Sequence, residues 1–213
     1  MSEVCKNLHE LFNSIERYSF PFDDNKIPLN GIYILFEERE KGHGKDRIVR
    51  IGTHTGKDQL RSRLWQHFMN ENKDRSIFRK NIGRALLNKI NDNYLKIWEL
   101  DLTTKENKEK FSNLIDKQKQ NDIEKEVSRY IRNNFSFVVF EIEDKDERLK
   151  LESEVISAIS LCEECGAGDN WLGKSSPKEK IRKSGLWLVN ELYKKPLDEK
   201  GFDFLKEIVR DTY

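Results

Sequence analysis

A chain of 213 residues and 25.3 kDa accommodates one domain with decoration, or two small ones. Apolar and charged residues each make up 36%, so material for a core lies under a heavily solvated surface, and no stretch approaches the roughly 20 apolar residues of a spanning helix. Met1 to Leu11 lacks the basic-then-apolar order of a secretion signal. Cys5, Cys162 and Cys165 are too few and too unevenly placed for a disulfide framework. These features predict a soluble, cytoplasmic protein with no membrane partner, stabilised by packing. The net charge of +1 conceals a segregation: Arg39 to Lys89 holds 14 Lys or Arg against 5 Asp or Glu, so this segment is +9 and the remainder −8. Clustered positive charge predicts a polyanionic partner, with a merely solvated face as the alternative.

In chain order, Val4, Leu8, Leu11, Phe12 and Ile15 form one helical stripe, which predicts an amphipathic helix docked on the body. Tyr18 to Asn30, with Pro21, Pro28 and Asp23-Asp24-Asn25, reads as a connector. Gly31 to Phe36 and Arg47 to Gly52 read as antiparallel strands, the charged stretch Glu37 to Asp46 serving as a long hairpin loop with Gly42-His43-Gly44 at its tip. Leu60, Leu64 and Phe68 predict a helix with Asp58 as its cap after the Gly56 turn, and Arg63 and His67, four apart, share one flank of it. Helices are expected around Phe78 to Ile90 and Ile123 to Ile131, a strand at Tyr94 to Leu100, and a helix or loop over Thr103 to Asn121.

Phe135 to Glu143 predicts a strand, and Leu149 to Ile159 a helix that carries Glu152 and Glu154 within its apolar pattern. Gly166 to Pro177 reads as a loop carrying Asn170 and Trp171, and Ile181 to Tyr193 as terminal helices. Cys162 and Cys165 form a lone Cys-x-x-Cys without a second pair, a pattern that does not by itself predict zinc.

If the basic segment faces phosphates, a phosphodiester hydrolase needs a water activator, a group for the developing negative charge and a divalent ion on a carboxylate. Tyr33, Arg63 with His67, and Glu152 offer these in order. The Arg fork suits phosphate and a hard carboxylate suits a magnesium-like ion. Read alone, each has a plainer role: Tyr33 as core, Arg63 and His67 as a solvated flank, Glu152 as a surface carboxylate, with Glu154 its rival as ligand.

Gly31-Ile32-Tyr33, Arg50-Ile51-Gly52, Arg63-Leu64 with His67, Leu151-Glu152 with Val155-Ile156, and Asn170 together resemble the ordered motifs of the GIY-YIG endonuclease superfamily over about residues 30–173. The resemblance implies an α+β fold with a three-stranded antiparallel sheet flanked by helices, cutting DNA with one Mg²⁺ or Mn²⁺. By that analogy Tyr33 is the general base or orients the water, Arg63 stabilises the pentacovalent phosphate, and Glu152 binds the metal. His67 positions phosphate or Tyr33 and assists proton transfer, and Asn170 holds the arrangement or contacts the DNA backbone. Arg50 stands where the family usually has its second tyrosine; a guanidinium is no base, so that role is lost or passes to phosphate binding by Arg50 or proton transfer by nearby His54.

The expected organisation is one domain over 1–213: an N-terminal helix and connector (1–29), a catalytic core (30–175) with an insertion at about 70–134, and a C-terminal helical extension (176–213). The elaboration resembles members that act as type II restriction enzymes on double-stranded DNA, with a homodimer and a methyltransferase acting on the same site as further expected partners. A repair or mobile-element nuclease, or a binding module without catalysis, is the alternative.

Overall fold

One antiparallel sheet, covered by helices on both faces, organises residues 2–212, which the computed structural model describes. The elements are α1 (Ser2–Asn13), β1 (Tyr18–Ser19), β2 (Gly31–Gly42), β3 (Lys45–Gly52), α2 (Leu60–Phe68), α3 (Ile77–Lys89), α4 (Leu95–Trp98), α5 (Lys105–Phe111), α6 (Lys117–Asn134), β4 (Phe135–Glu141), α7 (Lys145–Ser160), α8 (Glu179–Ser184) and α9 (Glu199–Thr212). The strand order is β1-β4-β2-β3. The expected three strands are therefore present, with the two-residue β1 added beside β4.

Side-chain alternation along β2 divides the interior in two. Ile32, Ile34 and Phe36 pack with Leu8 and Phe12 of α1, Val155 and Ile159 of α7 and Leu205 of α9. Tyr33 and Leu35 face the other way, onto Leu64 and Phe68 of α2, Phe78 and Ile82 of α3, and Val127 and Ile131 of α6. Every residue of Gly31–Glu37 is buried, as a strand covered on both faces requires.

Several expectations are corrected. Glu37 to Asp46 is not a hairpin loop, because β2 and β3 continue to a tight turn at His43–Gly44. Charged residues lie within these strands because they find partners: Glu37 accepts the indole N–H groups of Trp171 and Trp187, both at 2.7 Å, and Glu40 pairs with Arg47 at 2.5 Å. Tyr94 to Leu100 is a single helical turn, opened by the Asp92 carboxylate on the Tyr94 N–H (2.8 Å) and anchored by Trp98, whose indole donates to the Lys80 carbonyl (3.0 Å). Asp58 does not cap α2; it takes a positive φ of 57° and accepts from Asn30 at 2.7 Å. Of Ile181 to Tyr193 only the start is helical, because Gly185 ends α8 with φ 69° and the Trp187 N–H bonds the outer edge of β3 at Val49 (2.8 Å).

The basic segment is also not simply a surface. Six of its fourteen cations, Arg47, Arg50, Lys73, Arg79, Lys80 and Arg84, are buried. Arg79 pairs with Glu124 of α6 (2.7 Å) and Arg84 with Glu99 (2.6 Å), so acidic residues from beyond the segment neutralise part of it inside the fold. Charge counting along the chain cannot detect that compensation, since it depends on which helices meet.

Candidate active site

The site forms where β2 begins and β3 ends. Tyr33 lies directly opposite Gly52, and a Cβ at Gly52 would fall 2.2 Å from the tyrosine hydroxyl oxygen. Glycine at that position is thus what allows the phenol to lie across its neighbouring strand. The hydroxyl accepts the Nε–H of Arg50 at 3.3 Å, and Arg50 is itself tied by Nη1 to the Trp187 carbonyl at 2.6 Å. Thr53 and His54, just past β3, bond back to Gly31: the Thr53 hydroxyl donates to its carbonyl (2.6 Å) and the Gly31 N–H donates to His54 Nε2 (3.4 Å).

His67 comes from α2 and completes a buried chain. Its Nε2 lies 2.8 Å from the Tyr33 hydroxyl, and its Nδ1 lies 2.7 Å from Ser76 Oγ. Ser76 caps α3 by accepting the Arg79 N–H at 3.2 Å. In the tautomer where Tyr33 donates to Nε2 and Nδ1–H donates to Ser76, the phenol both donates to His67 and accepts from Arg50. Burial, with the charges of Arg63, Arg50 and Arg79 around it, holds His67 well below the ordinary histidine range. His67 is therefore neutral in the native state but protonates readily when unfolded. In the interval below about pH 6.5 the unfolded chain binds the extra proton, so this histidine's contribution is present above that pH and is lost as pH falls. We expect the stability gap between wild type and His67→Gln, from urea midpoints, to narrow between about pH 7 and about pH 5; a gap that widens on acidification would contradict this.

Arg63 occupies the same flank of α2 but faces a cleft of about 240 Å³ lined by Thr53, His54, Thr55, Gln59, Ser62, Arg63 and Gln66. Its guanidinium is partly exposed and held only by long bonds to Gln66 (3.3 Å) and the Arg75 carbonyl (3.4 Å), which leaves it free to turn to an anion. Across the strand end, the Thr53 N–H donates to Glu152 Oε1 at 3.0 Å. Burial pushes the Glu152 carboxyl above the usual carboxylate range, while Arg50 and the Thr53 N–H oppose that rise. Glu154 points elsewhere, toward Lys195 at 3.7 Å.

The sequence profile of the GIY-YIG domain matches residues 3–213. The chain belongs to the GIY-YIG family. No curated protein and no solved structure matches it. Membership makes it a nuclease of the GIY-YIG superfamily, and the motif glycine, tyrosine, arginine, histidine and glutamate positions fall around one strand end.

Against the GIY-YIG pattern three further positions, Arg50, His54 and Asn170, are informative. Arg50, in place of the second tyrosine, is buried and fully engaged with Tyr33 and Trp187, which makes it a support for the phenol. His54 lines the cleft, but its Nδ1–H donates to the Gly56 carbonyl (2.6 Å) and its Nε2 takes Gly31 N–H, so both nitrogens hold backbone. Proton transfer through His54 has no free nitrogen to use. Asn170 is exposed in the loop before Trp171 and shares no hydrogen bond with this cluster among the described residues. Ser76 was missed, although Ser before an apolar helix is a capping signal visible in sequence.

As for a metal, Glu152 offers one hard carboxylate with no salt bridge among the described residues and with one oxygen beyond its Thr53 bond. That donor suits Mg²⁺, which is commonly held by one or two carboxylates together with water and substrate phosphates.

Proposed function

We propose that the chain is a Mg²⁺-dependent endonuclease of double-stranded DNA, acting as a type II restriction enzyme. The observation that carries this reading is the convergence of the Tyr33–His67–Ser76 chain, the loosely held Arg63 and the half-buried Glu152 around the end of the β2–β3 pair. A phosphodiester in the cleft would draw the Arg63 fork onto its non-bridging oxygens, where charge accumulates as the attacking oxygen arrives. Tyr33 would orient that water and take its proton as its own passes to His67 Nε2, with Arg50 donating to the phenol oxygen throughout. Ser76 and Arg50 are positioning residues. The Tyr33 ring is enclosed, so side chains around it must move for water to reach the hydroxyl, and the long bonds of Arg63 leave that side chain free to move. Glu152 would hold the Mg²⁺, which when bound would supply Lewis-acid stabilisation of the developing negative charge.

The restriction role is supported by the elaboration at 70–134. Within it α5 buries none of its residues and carries Lys105, Lys108 and Lys110, suited to reach phosphates beyond the cleft. A homodimer reading a palindrome, paired with a methyltransferase at the same site, fits this role. The test is incubation of purified protein with unmethylated plasmid and phage DNA, with Mg²⁺, Mn²⁺ or EDTA. Discrete fragments requiring the metal are expected. Cleavage only at flaps or junctions would assign a repair role, and salt-sensitive binding without cutting would reduce the chain to a binding module.

A further inference from the structure

At the other end of the β2–β3 hairpin, nine residues along β2 from Tyr33, four soft or borderline metal ligands meet: Cys5, His9, His43 and Cys165. One ligand atom from each lies within 4.8 Å of all the others. Cys165 Sγ stands 3.4 Å from His9 Nε2, close to the roughly 3.6 Å edge that a tetrahedron with Zn–S of about 2.3 Å and Zn–N of about 2.0–2.1 Å has between sulfur and nitrogen. We propose that these four residues bind one structural Zn²⁺, independent of the catalytic centre.

Three features of the chain support the site. The donors come from separate segments: Cys5 and His9 one turn apart on α1, His43 at the hairpin tip, and Cys165 in the loop after α7. No regular element supplies more than one pair, so convergence of all four requires the tertiary fold. Second, His9 is oriented as a ligand would be: its Nδ1–H donates to the Cys5 carbonyl at 2.9 Å, which leaves Nε2 facing the sulfur of Cys165. The Ile48 N–H, 3.2 Å from that nitrogen, is the only other donor on it among the described residues and would yield the lone pair to the ion. Third, Gly42 keeps the centre open. A Cβ there would fall 2.7 Å from Cys165 Sγ and 3.1 Å from His9 Nε2.

Two thiolates and two neutral imidazoles balance the charge of Zn²⁺, which suits a setting where Cys5 and His9 are wholly buried and the His43 side chain is 5% exposed. Binding releases one proton from each thiol to solvent. Cys162 stands next to the cluster, 3.4 Å from His43 Nε2, outside the four. The ion would fasten α1 and the loop after α7 to the hairpin tip.

The test is elemental analysis of the full-length protein produced with zinc and dialysed free of loose metal. About one zinc per chain is expected, lost in Cys165→Ser and in His43→Ala, and retained in Cys162→Ser and Glu152→Ala. Because a ligand variant can lose metal by unfolding, wild-type protein exchanged with Co²⁺ gives the second reading. Intense tetrahedral d–d bands with sulfur-to-metal charge transfer are expected. Metal-free wild type, or only the weak bands of octahedral cobalt, would overturn the site, and zinc loss from Cys162→Ser equal to that from Cys165→Ser would overturn the ligand set. Neither result bears on cleavage, and loss of cleavage in Glu152→Ala with zinc intact would separate the two centres.

Discussion

A Glu152→Ala chain is expected to fold, bind DNA and fail to cut it. Two opposing effects act on its stability. The bond from the Thr53 N–H to the carboxylate is a charge-assisted one, worth about 1.5–3 kcal/mol. Burial of that carboxylate works against it and pushes its pKa up, so its removal also relieves a desolvation cost. The rate behaves differently. Losing a group that stabilises charge only in the transition state commonly lowers turnover by about 10²–10³, and losing the metal's protein ligand should cost at least as much. Glu154→Ala is the matched control, since Glu154 lies on the same helix but its ion-pair contact is with exposed Lys195, away from the cleft. Conversion of supercoiled plasmid followed over time, beside thermal melts of the three proteins, measures both effects. If Glu154→Ala loses cleavage while Glu152→Ala keeps it, the metal assignment is wrong.

The parts of this molecule that were legible in its sequence are those encoded by short periodic patterns. The stripe of Val4, Leu8 and Phe12 makes α1, the apolar core of Phe135–Glu141 makes β4, and Leu151, Val155 and Ile159 make α7. The motif residues Tyr33, Arg63, His67 and Glu152 could be named because they are tied to those patterns. What failed were segments whose structure depends on distant partners. Charged β2 residues read as loop because Trp171, Trp187 and Arg47, which accommodate Glu37 and Glu40, are far off or on the neighbouring strand. Tyr94 to Leu100 has strand composition, yet Trp98 finds its place over Gly83 of α3, which fixes it as a helical turn. The cysteines illustrate the same limit: Cys162 and Cys165 are visible as a pair, whereas His9 and His43 join Cys165 only through the hairpin tip and α1. His54 was singled out by proximity to Arg50 in sequence and Asn170 as one of the ordered motifs, yet both His54 nitrogens hold backbone and Asn170 shares no hydrogen bond with the cluster among the described residues.

Tyr33→Phe should lower the cleavage rate by about 10²–10⁴ while leaving DNA affinity unchanged, as loss of a proton-transfer group does. The plainer role for the phenol predicts another outcome. Were Tyr33 only a core residue, removing its hydroxyl would leave His67 Nε2 and the Arg50 Nε–H without their partner, a cost of about 1–3 kcal/mol in stability and nothing in the rate of the folded enzyme. Both effects can coexist, so the rate has to be read where melts show the variant fully folded. Ser76→Ala divides them further. It removes the α3 cap, worth about 1 kcal/mol, and frees the imidazole that Tyr33 contacts, without touching the phenol or the cleft. A relay through His67 predicts that Ser76→Ala lowers turnover at saturating DNA and shifts its pH profile, whereas a purely structural Tyr33 predicts a less stable protein with wild-type turnover. In the chain Arg50–Tyr33–His67–Ser76 each side chain is hydrogen-bonded to the next. Such a network holds the phenol oxygen from two sides, which is what a water-activating group requires.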